Sequence, residues 1–75
     1  MTTLDQMPVG ARATVKEIDG FDDVALRLME MGLTPGVDVA IVGEAPLGDP
    51  LELEIRGYRL SVRRSEARRI RIQPA

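Results

Sequence analysis

Along residues 12–18, RATVKEI, apolar Ala13 and Val15 alternate with polar Thr14 and Lys16, the two-residue period of a half-buried β-strand. The period then changes. In DVALRLMEM, residues 23–31, a helical wheel puts Val24, Ala25, Leu28 and Met31 on one face and Asp23, Arg27 and Glu30 on the other. Asp22 is placed to cap the start of this helix, and Gly32 suits the left-handed residue that ends it. Asp23 and Arg27 stand four apart in the favourable order for an ion pair. Leu26 breaks the pattern by falling on the polar side, beside Glu30.

Beyond the helix the two-residue period returns. Pro35-Gly36 has the residues of a type II turn, Pro first and Gly where φ must be positive. Val37, Val39 and Ile41 then alternate with Asp38, Ala40 and Val42 as a second strand. APLGDP, residues 45–50, reads as a stiff loop in which Gly48-Asp49 turns the chain. Leu51, Leu53 and Ile55 form one further strand, and Leu60 and Val62 another, with Gly57 marking a tight hairpin between them. A loop of Arg56-Gly57 would set Glu54 against Arg59; a loop of Gly57-Tyr58 would set Glu52 against Arg63. SEARR, residues 65–69, predicts one helical turn, and Ile70 with Ile72 a short closing strand. These elements predict a mainly β single domain over residues 1–75, a small SH3-like β-barrel of about five strands with one short helix. An OB-like barrel is the alternative, and 75 residues is small for it.

Composition narrows the chemistry. Leu, Ile, Val and Phe make up 21 of 75 residues, enough for a core. With no Cys and no His, disulfides, thiolate metal sites, the usual zinc ligands and the commonest general base are all missing. The expectation for cofactors is none tightly bound, with only weak divalent-cation binding by carboxylates. The longest apolar run is Val39–Val42, too short to span a bilayer, and the N-terminal MTTLDQMPVGAR has no apolar signal core. A soluble cytoplasmic protein is expected.

The formal charge of −2 hides an asymmetry. Up to Ile55 there are three basic and eleven acidic residues; from Arg56 onward there are seven arginines and one acid, Glu66. The favoured reading is that the two halves pair within the fold. The rival is a basic face for nucleic acid, weakened by an acidic pI and by only two aromatics, Phe21 and Tyr58, on which bases could stack.

Catalytic arrangements are poorly served. Ser61 and Ser65 have no His, and Lys16 has no evident partner. Asp19, Asp22 and Asp23 cluster without the spacing of a calcium loop, and a turn with a helix cap accounts for them. No Gly-rich phosphate loop exists. No catalytic or metal-ligating residue is assigned. The apolar residues that folding does not require are Leu47, set between Pro46 and Pro50 with Gly48 and Asp49, and Leu26. Either they cap the barrel end and pack under Leu4 and Met7, or they form an apolar surface for a protein partner. The candidate partner-binding set is therefore Leu26, Pro46, Leu47, Gly48, Asp49 and Pro50; the structural turn residues are Gly32, Pro35, Gly36 and Gly57.

The pieces RLMEMGLTPG (27–36), APLGDP (45–50), RGYRLSVRRSEA (56–67) and the closing IRI stand in an order and spacing that resembles the FeoA family, small accessory proteins of bacterial ferrous-iron uptake. The resemblance implies an SH3-like barrel, a cytoplasmic protein peripheral to the inner membrane, and action with FeoB, the large membrane permease that carries a GTPase domain. It also extends to the C-terminal module of iron-dependent repressors, which implies a regulatory or RNA-binding barrel as the alternative function. No helical DNA-binding domain precedes the segment in this sequence, which favours the transport accessory.

Overall fold

The computed structural model describes residues 2–75. Five strands form one antiparallel sheet in the order β4-β3-β2-β1-β5: β1 Arg12–Ile18, β2 Asp38–Glu44, β3 Leu51–Ile55, β4 Tyr58–Val62 and β5 Ile70–Pro74. Helix α1, Asp23–Glu30, links β1 to β2, and a single turn of helix, α2, Arg64–Ala67, links β4 to β5. The alternating residues supply one face of each strand. Ala13, Val15, Val39, Ile41, Leu51, Leu53, Ile55, Val62, Ile70 and Ile72 are all buried, joined by Leu4, Ala25, Leu28 and Leu33. No polar or charged residue is buried among the described residues. This is the SH3-like barrel that the alternation predicted.

Two bulges bend the sheet. The β1–β5 register shifts between Val15 and Glu17, and the β2–β3 register shifts between Ile41 and Gly43. Each inserts an extra residue, sharpening the local twist so that a five-stranded sheet can curl over its own core. The first also explains why Lys16 and Glu17 are both exposed.

Local signals formed as their chemistry requires. Asp22 caps α1, its carboxylate accepting from the Ala25 N–H at 3.2 Å. Arg69 reaches the same carboxylate at 2.6 Å. That bond first, and the cap second, hold the Asp22 carboxyl below its ordinary range. Gly32 ends the helix at φ +108°, and a Cβ there would collide with the Tyr58 hydroxyl, which donates to the Met31 carbonyl. The hairpin takes Arg56-Gly57 as its two-residue loop, both at positive φ, so Glu54 stands opposite Arg59. One pairing came out differently: Arg27 binds Glu66 of α2 and not Asp23, because α2 packs within reach of that face of α1.

The charge asymmetry is resolved by pairing within the fold. Arg59, Arg64, Arg68, Arg69 and Arg71 pair with Glu54, Glu44, Asp5, Asp22 and the Glu17–Asp19 pair, all upstream of Ile55. Asp19 and Asp22 are thereby occupied by arginines rather than gathered into a cation site.

The Pro35-Gly36 turn closes with the Val37 N–H donating to Thr34 O at 3.1 Å, and the Gly36 N–H docks it on Val15 O at 2.8 Å. A Cβ on Gly36 would meet nothing within 4 Å, so a side chain there costs only the conformational penalty of φ +91°. Gly36→Val is expected to lower stability by about 1–3 kcal/mol, roughly 4–8 °C in melting temperature for each kcal/mol. Thermal denaturation checks this, and an unchanged midpoint would contradict the turn assignment.

Candidate functional site

The loop between β2 and β3 is built around one arginine. Ala45 and Pro50 close its base, the Ala45 N–H donating to Pro50 O at 3.0 Å. Inside, the Gly48 N–H donates to Ala45 O at 2.8 Å, making a turn with Pro46 and Leu47 at its centre. Leu47 therefore sits at φ 75°, ψ 4°, the left-handed region that a β-carbon disfavours by roughly 1–2 kcal/mol. The turn falls two residues earlier than the sequence predicts: Pro46-Leu47 makes it in place of Gly48-Asp49, and Gly48, also at positive φ, follows. Leu47 is fully exposed, at 105% of its reference area.

Arg64, at the first position of α2, holds this turn in place. Its Nε donates to the Gly48 carbonyl, one terminal nitrogen reaches Glu44 Oε2 at 2.8 Å, and the other reaches the Asp5 carbonyl at 2.9 Å. Its backbone N–H donates to Asp49 Oδ1 at 3.1 Å. A planar guanidinium suits this task because its donors diverge in one rigid fork toward three fixed acceptors. Sequence reasoning passed over Arg64 as one of a run of arginines; its sole local mark is the position directly before a helical turn.

The candidate residues thus divide. Leu47 and Pro46 project outward, whereas Gly48 and Asp49 bond inward to Arg64 and Pro50 closes the loop base. Leu26 remains on the outer side of α1, 55% exposed. The covering segment considered for it goes elsewhere: Leu4 is buried in the core and Met7 packs at the core's edge. α2 connects the two points, since Glu66 binds Arg27 beside Leu26 while Arg64 binds the Leu47 loop.

A further apolar residue, Phe21, is fully exposed at 106%. It directly precedes the cap residue and lies five before Leu26, the spacing at which a residue before the cap commonly packs on the helix's first turn. That spacing was the signal available in the sequence, and in the fold neither residue is covered. A groove of about 390 Å³ lies on the outer face of the sheet among Arg12, Thr14, Asp38, Ala40, Glu54 and Arg56. Thr14 Oγ1 donates to Asp38 there at 2.9 Å, and the lining holds no nucleophile with a general base beside it. Among the described residues, no three of His, Cys, Asp and Glu converge to hold a metal ion.

A bent five-stranded barrel of this size, carrying its exposed apolar residues on a pinned turn and a helix, is a small SH3-like domain. The chain belongs to the FeoA domain family, which matches residues 2–74. It is similar to a fusion of Fe(2+) transport protein A with the Fe(2+) transporter FeoB from Porphyromonas gingivalis, 31% identical over 93% of this chain; the chain spans 8% of that protein's length. A solved FeoA structure from Chlorobium tepidum is 36% identical, with a TM-score of 0.89 over 97% of this chain and 70% of that one. A zinc-complexed FeoA from Stenotrophomonas maltophilia, described as a prokaryotic SH3 domain protein, is 31% identical, with a TM-score of 0.85 over 97% of this chain and 91% of that one.

Replacing Arg64 with Ala is expected to cost about 1–3 kcal/mol, since part of its bonding is to carbonyls and part to an exposed carboxylate. The same change should speed amide exchange at Gly48. Arg64→Lys should fall short of restoring either property, because one ammonium cannot satisfy the same three divergent acceptors. Hydrogen exchange and thermal melts of both variants check this.

Proposed function

We propose that this chain acts in ferrous-iron transport as a non-enzymatic cytoplasmic accessory that binds a FeoB-type membrane permease through the Leu47 turn, with Leu26 as a second contact. The observation that carries the reading is Leu47 itself: a large apolar residue, fully exposed, kept in a left-handed conformation by a loop pinned from behind. Such local strain persists where surrounding structure enforces it, and it concentrates at sites of function. Covering a rigid, exposed leucine gains apolar burial without the cost of ordering a loop, which is the economy of a preorganised contact. Fusion of the two kinds of domain in the Porphyromonas gingivalis protein supports the choice of partner.

The reading favours a protein partner over nucleic acid because five of the seven C-terminal arginines already neutralise acids of the same chain. It also assigns no resident metal. The soft and imidazole ligands that hold first-row metals tightly are missing, and carboxylate sites alone are weak and hydrated.

Leu47→Asp is expected to keep the melting temperature within a few degrees, since nothing packs on that side chain, while abolishing co-purification with the permease and ferrous-iron uptake in cells. Leu26→Asp should do the same to a lesser degree. A Leu47→Asp protein that is unfolded, or folded and fully active in uptake, would contradict the assignment. Titration of the purified chain with Fe²⁺ or Zn²⁺ in a calorimeter should show no stoichiometric site of micromolar affinity or better; such a site would overturn the metal assignment.

A further inference from the structure

The two edges of the sheet are finished differently. At β5 the outer edge is covered: the Ile72 N–H donates to Thr2 O at 3.0 Å, and Thr3 bridges Arg71. β4, at the other end of the strand order, pairs with β3 alone. In a hairpin with a two-residue loop the pair flanking the loop exchanges both hydrogen bonds, and bonding alternates from there. With Ile55 opposite Tyr58, the residues that aim their N–H and C=O groups away from β3 are Arg59 and Ser61. That open edge coincides with most of the remaining arginines. Arg56 and Arg63, at the two ends of β4, make no ion pair among the described residues, and Arg59 reaches Glu54 only at 3.9 Å with 71% of its side chain exposed. Of the others, Arg27, Arg64, Arg69 and Arg71 are held in closer pairs within the fold and Arg68 reaches Asp5 at 3.7 Å, while Arg12, on β1, makes no ion pair among the described residues.

We infer that the open edge of β4 takes up an extended acidic segment of a partner protein as a sixth strand. Backbone groups of Arg59 and Ser61 supply the ladder, as in other strand-addition complexes. Arg59 and Arg63 lie on the outer face, so acidic residues at alternate positions of the incoming strand meet them, and the residues between face the side of Tyr58 and Leu60. Tyr58 is exposed and Leu60 half-buried, which suits apolar residues at those intervening positions. A second copy of this chain is the wrong occupant, because two arginine-lined edges repel, the usual means by which edge strands resist self-pairing. This surface is distinct from the Leu47 turn, and its test does not depend on the proposed partner.

The probe is an acetylated, amidated heptapeptide alternating Glu and Val, added to the intact protein at low salt and followed by amide shifts and hydrogen exchange. The expected result is saturable binding with new protection at the Arg59 and Ser61 amides. The double variant Arg59→Gln/Arg63→Gln should weaken it about tenfold, and a Lys-Val heptapeptide should not bind. The Glu-Val peptide N-methylated throughout keeps every charge but has no donors; it should fail to protect these amides. Lack of binding at millimolar peptide, protection confined to another surface, or equal binding of the methylated peptide would overturn the inference. Concentration-dependent protection of the same amides without peptide would overturn the choice of occupant.

Discussion

Arg64 is the side chain on which the presentation of the β2–β3 loop depends. Three of its nitrogens go to three different segments: the Gly48 carbonyl in the loop, Glu44 at the end of β2, and the Asp5 carbonyl near the N-terminus. Without it, a six-residue loop with a leucine at positive φ has only two backbone hydrogen bonds of its own. With it, the left-handed Leu47 is enforced by partners on the far side of the turn, leaving the side chain nothing to do but face outward. The charge-assisted bonds are each worth more than a neutral one, and their divergence fixes direction as well as distance.

The same logic runs through the rest of the barrel. A domain of 75 residues buries a modest core, and here that core is wholly apolar among the described residues. Specificity in how the ends of the chain meet falls to the ion pairs between C-terminal arginines and upstream acids. Individually these surface pairs contribute little. Collectively they tie β5 and α2 to β1, the α1 cap and the N-terminal turn. Among the described residues they leave three arginines without an acid, Arg12 on β1 and Arg56 and Arg63 beside the open edge of β4, and the latter two mark that edge out.

Most of the fold was legible because strand period and caps are local properties. β1 could be bounded to the residue, and Asp22, Gly32 and Pro35-Gly36 acted as their side chains require. Side-chain partners were less legible. Asp23 and Arg27 have ideal helical spacing, yet Glu66 takes Arg27 because the fold brings α2 within side-chain reach of α1, a fact no local pattern contains. The bulges at Lys16 and Val42 were hidden for a similar reason: they depend on what the neighbouring strand does. Leu47 was singled out by its place between prolines, but the turn was placed at Gly48-Asp49, since steric preference alone favours a glycine at a turn over a leucine at positive φ. Arg64 was set apart from Arg63 only by standing directly before the predicted helical turn.

The central claim is that Leu47 is a preformed contact to the permease, and photo-crosslinking from that position tests it most directly. A photoreactive residue replacing Leu47 in cells that express the permease should give a covalent adduct with the permease's cytoplasmic part. The same residue at Val42, exposed on the outer face of β2, should not. Adducts from position 42 and none from position 47 would contradict the account.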